Sequence, residues 1–285
     1  MKAMFALAGL TTLLAAPSVQ ATPISYSVFS GTATTAAGIT STRDDFRAAI
    51  GGGTAAGANG SFGGLRREIN WDGVPDAFSA PNLLPGNFFN VNSPRGLVLS
   101  TPGSGFEVSA NAVNPTNTPT EFGNINPTYP SNFSAFSPQR LFTPIGSNVT
   151  DVTFFLPGTP TSAVTSAFGA IFSDVDLAGS SLQFFDLLNN SLGVFAVPFL
   201  SGNETFEFLG VKFDSSVVNR VRITSGNTAL SAGATDGGTF DVAVMDDFLY
   251  AEPQAAAAVP EPGSLILFST GALAIARRVR RRVRQ

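Results

Sequence analysis

Short apolar runs separated by turn-forming residues occupy most of the chain. The clearest run spans 219–224, where Val221 and Ile223 alternate with arginines. Successive side chains of a strand point to opposite faces, so this spacing predicts a strand with one buried and one solvated face. A second row with the same period comprises Val242, Val244, Asp246, Phe248 and Tyr250. Further strands are expected at 149–156, 167–172, 182–187 and 192–197.

The residues in and between these runs indicate the fold class. The connecting segments are rich in Ser, Thr and Asn, and the chain contains 29 Gly and 19 Pro. The runs themselves favour Phe and Val, which suit a pleated, half-buried surface. Asn189-Asn190 is expected to form a two-residue hairpin turn, since Asn tolerates a positive φ. Short strands at this spacing predict an all-β fold, a single jelly-roll-like β-sandwich.

One short helix is expected near the N-terminus. Thr42 can cap it, acidic residues follow in its first turn, and Phe46 and Ile50 share one face. Three consecutive glycines, 51–53, are expected to end it. Between the two apolar ends of the chain we therefore expect an N-terminal extension, or a first strand, with this helix (22–61), a β-sandwich domain (62–251) and a linker (252–259).

The first 21 residues have the three parts of a secretory signal peptide. Lys2 is followed by an apolar stretch at 4–16 and then by a small-residue cleavage pattern that ends at Ala21. The alternative is a membrane anchor, but a spanning helix needs about 20 apolar residues. The stretch at 4–16 has only 13 residues. We therefore expect cleavage at Ala21 and export of the remaining chain.

A second apolar segment, 264–276, lies between a proline-containing motif and a basic cluster. Pro260, Glu261 and Pro262 precede the segment, and six arginines follow it. Positive charge beside a hydrophobic helix stays on the cytoplasmic side of a membrane. The tail at 260–285 is therefore expected to form a transmembrane helix with its basic end inside and the rest of the chain outside.

This ordered trio of motif, helix and arginine cluster resembles a PEP-CTERM sorting tail, with Pro260-Glu261-Pro262 as the recognition motif. The resemblance implies export by Gram-negative bacteria that also make extracellular polysaccharide. It further implies an inner-membrane intermediate, removal of the tail by a transpeptidase-like exosortase, and a final place at the cell surface or outside the cell. The alternative is an ordinary tail anchor that contains Pro-Glu-Pro by chance.

Charge and composition exclude several function classes. The chain has 20 acidic and 16 basic residues; leaving out Glu261, Lys2 and the six tail arginines gives 19 acidic and 9 basic, a net charge of −10. Such a body is a poor partner for nucleic acid. The chain has no cysteine, so no disulfide supports its core. It also has no histidine, which excludes Ser-His-Asp and Cys-His catalysis and histidine-ligated metals.

The densest polar cluster of the sequence, 66–76, contains the only tryptophan. In a functional interpretation, Trp71 stacks on a sugar ring while Asn70, Asp72 and Asp76 bind hydroxyls or calcium. In the alternative interpretation, Trp71 belongs to the core and the charged residues form a local ion-pair network. Both interpretations stay open at the level of sequence.

Two pairs of carboxylates are candidate calcium ligands, and calcium is the one cofactor that the residues suggest. Asp174 and Asp176 follow a hydrophobic run, and Asp246 and Asp247 lie in the last predicted strand. Loop carboxylates with backbone carbonyls suit the roughly six to eight oxygens that calcium takes. The spacing lacks the EF-hand pattern, and the alternative role is turn capping and solvation at strand ends. If a site forms, we expect one acid from each pair to contribute.

Three functions are compatible with these features. The first is a non-enzymatic surface or extracellular-matrix protein that binds extracellular polysaccharide. The second is a purely structural or adhesin-like surface protein. The third is a carboxylate-based glycoside hydrolase, which needs no histidine. The segments 66–76, 88–90 and 93–96 are similar to ectodomains of other uncharacterised PEP-CTERM proteins, a resemblance that implies no activity. The first function is the leading prediction.

Overall fold

The computed structural model of the chain describes residues 24–256. The predicted signal peptide (1–21) with its cleavage site at Ala21 lies outside the described residues. So do the sorting motif Pro260-Glu261-Pro262 and the predicted C-terminal transmembrane helix. Among the residues that are described, no helix is long and apolar enough to cross a bilayer.

Residues 24–256 form fifteen β-strands and two α-helices. The strands are β1 (Tyr26–Ala33), β2 (Ser61–Phe62), β3 (Arg66–Ile69), β4 (Leu97–Ser100), β5 (Gly105–Val108), β6 (Phe142–Ile145), β7 (Val149–Phe154), β8 (Ala163–Val164), β9 (Ala167–Ser173), β10 (Ser181–Phe185), β11 (Ser191–Ala196), β12 (Phe206–Phe213), β13 (Arg220–Thr224), β14 (Val244–Ala251) and β15 (Gln254–Ala255). The helices are α1 (Ala36–Ile50) and α2 (Phe88–Val91), and single 3-10 turns occur at Ala58–Gly60, Asp76–Phe78 and Tyr129–Ser131.

Two antiparallel sheets face each other across one apolar core. The eight-stranded sheet has the order β1-β12-β9-β14-β3-β2, with β6 also pairing β14 and β5 pairing β6. The five-stranded sheet has the order β11-β10-β13-β7-β4. Phe168 and Phe248 from the first sheet share one buried cluster with Phe154 and Val221 from the second. The predicted all-β sandwich is therefore confirmed. A separate two-stranded sheet joins β8 to β15.

Helix α1 covers the outer face of the eight-stranded sheet. Ile39 and Phe46 are two turns apart on one side of the helix, and both are buried against a cluster that includes Ile171. The Phe46 ring lies over Gly210, where an added Cβ would come within 2.7 Å of the ring. Gly210 pairs with Gly169 across β12 and β9, so the ring packs on a part of the sheet that has no side chains.

The helix is longer than the sequence predicts. It begins at Ala36, so Thr42 lies inside it instead of capping it. The additional turn contains Ile39, whose packing on the sheet stabilises helical residues that have no side-chain cap. The predicted end of the helix is confirmed, because Gly51 has a φ of 84° and donates its backbone N–H to the Arg47 carbonyl at 2.9 Å.

The period-2 patterns correspond to strands, with one difference in burial. Strand β13 buries Val221 and Ile223, while its two arginines are half-buried on the other face, as predicted. Strand β14, in contrast, is buried along its whole length. The reason is that the sandwich core covers one of its faces, whereas Leu249 on the other face packs into the cluster beneath α1.

The hairpin between β10 and β11 also differs from the prediction. Its connection is the five-residue loop 186–190 instead of a two-residue Asn-Asn turn. The Asp186 carboxylate accepts the backbone N–H groups of Leu188 and Asn190 at 2.9 and 2.8 Å, which closes the wider loop. Asn189 does adopt the positive φ expected of it, at 64°.

Of the two alternatives for residues 22–61, the structure has the first strand with the helix. Strand β1 pairs with β12 along its entire length, from Tyr26 to Ala33. The expected boundary between residues 61 and 62 falls inside β2. At the other end, Glu252 of the expected linker forms an ion pair with Arg67 at 2.7 Å. The chain therefore stays attached to the sandwich at both ends of the described region.

Candidate functional site

Five carboxylates gather where strands β9, β12 and β14 meet the loops at one end of the sandwich. We call this group the acidic cluster: Asp174, Asp176, Glu207, Asp236 and Asp241. Asp174 directly follows β9 and donates its backbone N–H to the Thr205 carbonyl at 3.1 Å, at the start of β12. Antiparallel pairing of β9 with β12 sets Phe172 opposite Glu207, next to the point where Asp174 leaves the strand.

Two members of the acidic cluster are buried without complete hydrogen bonding. Asp174 and Glu207 are each 0% exposed to solvent. Both carboxylate oxygens of Asp174 and the Oε1 atom of Glu207 have no hydrogen-bond partner. A buried polar group left unpaired costs roughly 1–3 kcal/mol, and more when it is charged. These oxygens therefore reduce the stability of the chain as it stands.

The other members of the cluster tie the loops together. Asp241 accepts the backbone N–H groups of Asp176 at 3.2 Å and Leu177 at 3.3 Å, one at each carboxylate oxygen. Asp176 accepts the N–H of Gly202 at 2.7 Å. Asp236 accepts the N–H of Val242 at 3.1 Å. The backbone around the cluster is thus fixed by carboxylates that face into one small region.

The electrostatic environment of the cluster disfavours ionisation. Burial, followed by repulsion from the other four carboxylates, raises the pKa of Asp174 to about 9. Burial raises the pKa of Glu207 to about 8 against an opposing hydrogen bond from the Val175 N–H, and that of Asp236 to about 6. Burial likewise raises the pKa of Asp241. In each case burial is the largest cause, and the charged neighbours that contribute are other carboxylates.

No ion pair of the described residues involves the acidic cluster. The eight ion pairs found there use other acids: Asp44, Asp76, Asp151, Glu68 and Glu252. Within residues 24–256, no three acidic side chains are arranged so that they could hold a metal ion as they stand. The cluster is therefore a group of acidic side chains without a basic partner among these residues, and three of its buried oxygens accept no hydrogen bond.

The predicted grouping of Asp174 and Asp176 with Asp246 and Asp247 does not occur as such. Asp246 and Asp247 lie at a bulge in the middle of β14, where the pairing with β9 shifts between Met245 and Phe248. Their carboxylates contact the segment 136–137, not the acidic cluster. The side chains of Ser137 and Asp246 are 3.0 Å apart, and those of Ser137 and Asp247 are 2.8 Å apart.

The two bulge carboxylates form a tightly coupled buried pair. Asp246 also accepts the backbone N–H of Phe136 at 2.6 Å. Burial and then the neighbouring Asp247 carboxylate raise the pKa of Asp246 well above its usual value. Burial also raises the pKa of Asp247. This pair anchors the segment that crosses the outer side of the sheet near α1.

Trp71 is a core residue in the structure. It is 1% exposed, and its ring stacks on Phe142 with the ring centroids 4.1 Å apart. Its Nε1–H donates to the backbone carbonyl of Asp246 at 2.6 Å, and Phe89 and Phe248 pack edge-on against it. The ring presents no free face on which a sugar could stack, so this geometry agrees with the alternative interpretation of the tryptophan.

The three polar residues predicted beside the tryptophan have separate roles. The Oδ1 atom of Asp72 accepts the backbone N–H groups of Gln139 at 2.6 Å and Arg140 at 3.1 Å. Burial raises the pKa of Asp72 against these hydrogen bonds. Asp76 forms an ion pair with the buried Arg140 at 2.5 Å. Asn70 is exposed and faces a surface pocket.

That pocket, which we call the α1 pocket, lies between helix α1 and strand β3 and has a volume of about 420 Å³. Its polar lining includes Arg43, Arg47, Asn70, Arg95 and Asp247. Glu68 also lines it and accepts hydrogen bonds from Arg47 at 2.8 and 2.6 Å. The pocket thus offers both donors and acceptors to a polar ligand.

Sequence reasoning missed three members of the acidic cluster: Glu207, Asp236 and Asp241. Glu207 carried a readable signal, because it is the one charged residue in the otherwise apolar run 206–211. A carboxylate inside a buried strand needs a partner, and its presence there marks a special site. Asp236 and Asp241 lie in a Gly-rich loop without a strand pattern, so only the fold brings them to Asp174.

Comparison with known proteins identifies the tail of the chain. Neither a curated protein nor a solved structure matches the chain. Residues 258–282 match the family model of the PEP-CTERM protein-sorting motif, and the match includes Pro260, Glu261 and Pro262. The chain therefore carries a PEP-CTERM protein-sorting motif at residues 258–282, as an exosortase substrate does.

Proposed function

We propose that this protein is a non-enzymatic surface or extracellular-matrix protein that an exosortase sorts and that binds extracellular polysaccharide. The observation that carries the proposal is the sorting motif at residues 258–282. The match begins at residue 258, shortly after β15, which ends at Ala255 and pairs with β8. Removal of the tail would leave the sandwich intact as the exported body.

The strand order supports a jelly-roll sandwich as this body. Four strands of the large sheet follow the order β3-β14-β9-β12, and four of the smaller sheet follow β7-β13-β10-β11. Successive strands cross repeatedly between the two sheets, which is the connection of two Greek keys. Such a body displays loops at both ends and a broad outer face, the usual places for binding residues.

The α1 pocket is the proposed polysaccharide site. Its arginine, asparagine and carboxylate side chains provide hydrogen-bonding groups of both kinds for sugar hydroxyls. Asn70 is exposed there, and its amide makes only a 3.2 Å hydrogen bond to Asp72. Phe62 also lines the pocket, with the Arg66 guanidinium 4.4 Å from the centre of its ring.

The carboxylates near the pocket support a binding role more than hydrolysis. A glycosidase places two carboxyl groups roughly 5–9.5 Å apart, one on each side of the scissile bond. Of the two acids that line the pocket, Asp247 is 4% exposed and lies 2.8 Å from the Ser137 hydroxyl, while Glu68 is engaged by Arg47 and Arg66. Neither arrangement leaves a pair of accessible acids facing each other.

Co-sedimentation tests the binding proposal. The full chain, purified in detergent, is mixed with extracellular polysaccharide from a producing strain, and the bound fraction is measured. We expect saturable binding that Ala56→Trp reduces at least about tenfold, because Ala56 is exposed and lines the α1 pocket. Ala55→Trp is the matched control, since Ala55 is equally exposed but is not part of the lining. Absence of saturable binding would favour the structural or adhesin-like alternative.

Processing of the tail is tested separately in a bacterium that expresses an exosortase. Glu261→Ala changes the centre of the motif and is expected to leave the full-length chain in the membrane fraction. Gln254→Ala, at an exposed position of β15, is the control and should be processed normally. Equal processing of the two variants, measured by the size of the mature protein, would count against exosortase sorting through this motif.

A further inference from the structure

We propose that the acidic cluster binds a calcium ion through Asp174, Asp176, Glu207, Asp236 and Asp241. Unlike the α1 pocket, which is lined by both arginines and acids, the acidic cluster has no positively charged neighbour among the described residues. Calcium binding there is independent of polysaccharide binding and of tail processing.

Two buried acids of the cluster have oxygens without hydrogen-bond partners. Both oxygens of Asp174 and one oxygen of Glu207 are buried and accept no hydrogen bond. A proton shared with a neighbouring carboxyl group is the alternative to a cation, and the calcium titration distinguishes the two. A cation that contacts these oxygens directly would satisfy all of them together.

Within residues 24–256, the whole cluster lacks a positively charged partner. None of the eight ion pairs in the described region reaches it, although seven arginines find acidic partners elsewhere. In contrast to those pairs, each carboxylate of the cluster has other carboxylates as its charged neighbours. A divalent cation reverses this repulsion, since the site then gains from every negative charge it holds.

The ligand chemistry favours calcium among divalent cations. The chain contains no histidine and no cysteine, so every available ligand is an oxygen. Calcium accepts roughly six to eight oxygens in an adaptable geometry, whereas magnesium requires a small, regular octahedron. Carboxylates on two loops and a strand, with backbone carbonyls beside them, suit the adaptable ion. Because the carboxylates do not yet converge, the side chains must rotate toward the ion when it binds.

The loops are already fixed for such a rotation. Asp241 is hydrogen-bonded to the backbone at 176–177, and Asp176 is hydrogen-bonded to Gly202. Each of these oxygens has a second lone pair available for a metal ion. Both oxygens of Asp174 and the Oε1 atom of Glu207 accept no hydrogen bond, so they can contact the ion without breaking one. Binding would link the ends of β9, β12 and β14.

The test measures calcium binding by the full chain in detergent after treatment with EDTA. Isothermal titration with CaCl2 should give saturable heat with a Kd tighter than about 10⁻³ M. Calcium at about 100 times Kd should raise the Tm by about 5–10 °C. MgCl2 at the same concentration is expected to raise the Tm by less than half as much.

Asp174→Asn is the decisive variant. Asn has nearly the shape of Asp and tolerates the positive φ of 71° at this position, so the variant should fold. We expect it to lose most of the calcium-induced Tm shift while its Tm in EDTA stays at or above that of the wild type. Asp214→Asn is the matched control, because Asp214 is exposed on the loop after β12, and it should keep the whole shift.

A second variant keeps the test informative if Asp174→Asn folds poorly. Asp236 is half-buried, and Asp236→Asn preserves the carbonyl oxygen that accepts the Val242 N–H. It should weaken calcium binding at least about tenfold. Wild-type protein with neither binding heat nor a Tm shift would overturn the proposal. An equal shift in Asp174→Asn, Asp236→Asn and Asp214→Asn would place the calcium elsewhere and overturn it as well.

Discussion

Carboxylates at two places in the same sandwich have opposite surroundings. On the outer face of the five-stranded sheet, Asp151 of β7 accepts hydrogen bonds from Arg220 at 2.7 Å and from Arg222 at 3.0 and 2.7 Å. At the end of the sandwich, Asp174 and Glu207 are more deeply buried but meet no arginine. The better-solvated acid is paired, whereas the more buried acids are not.

This contrast separates residues that stabilise the fold from residues that await a ligand. The pairing at Asp151 fits the antiparallel register, which places Arg222 of β13 directly opposite it. The acidic cluster has no such complement and lowers stability unless a cation joins it. Local rules that fail without compensation usually do so at functional sites. The comparison therefore indicates the acidic cluster as the region of the sandwich where a ligand binds.

The largest effect is expected from Asp151→Asn. The change removes the charge that both arginines share and leaves two guanidinium groups beside each other on the sheet. We expect the free energy of unfolding to fall by about 2 kcal/mol, below the value for a fully buried pair because the site is partly solvated. Chemical denaturation measures the effect, with Asp214→Asn as the control. If the free energy of unfolding fell no more than in the control, the arginine pairing of Asp151 would not stabilise the fold, contrary to the contrast with the acidic cluster.

The same pair makes a prediction for acid. Burial raises the pKa of Asp151, but hydrogen bonds from Arg222 and Arg220 outweigh it, so the net pKa lies below the usual 3.8. The pairing therefore stabilises the fold above about pH 4 and loses its contribution as the pH falls through the lowered pKa. The stability difference between wild type and Asp151→Asn should shrink by at least about 1 kcal/mol from pH 6 to pH 2. A constant difference across this range would contradict the role given to the arginines.

The two regions also differ in how much of their structure the sequence alone predicts. Val221 and Ile223 alternate with Arg220 and Arg222, so the strand and its outward arginines could be predicted from one short run. The partner of those arginines could not, because Asp151 meets them only through the register of β7 and β13. Local periodicity thus predicts elements and faces, while pairing depends on the sheet order.

The acidic cluster illustrates the limit more sharply. Sequence reasoning selected Asp174 and Asp176 as candidate ligands but joined them to the wrong neighbours, Asp246 and Asp247. The true neighbours are distant in sequence, and Asp241 reaches Asp176 by closing a long loop between β13 and β14. Such contacts depend on how the chain passes from one sheet to the other, and no local sequence pattern predicts that path.

A smaller effect with the opposite sign is expected at the acidic cluster. In EDTA, Asp174→Asn replaces an unpaired buried acid and should change the free energy of unfolding by between zero and about +1 kcal/mol. The expected sign is the reverse of that for Asp151→Asn. Denaturation of both variants under identical conditions makes the comparison. A loss at Asp174 as large as that at Asp151 would show that the carboxylate has a structural partner in the cation-free protein.

The smallest expected effect distinguishes the two arginines of the Asp151 pairing. Arg220 lies 3.7 Å over the Phe185 ring and its side chain is 19% exposed, whereas the side chain of Arg222 is 42% exposed. Solvent screens the more exposed pair, so Arg222→Gln should lower stability by only about 0.5 kcal/mol. Arg220→Gln should lower it by about 1 kcal/mol because it also loses the cation–π contact. A double-mutant cycle of each arginine with Asp151→Asn measures these contributions. If Arg222 proved the stronger partner, solvent exposure would not determine the strength of these ion pairs. The contrast between the more exposed Asp151 pairing and the buried acidic cluster would then not rest on exposure.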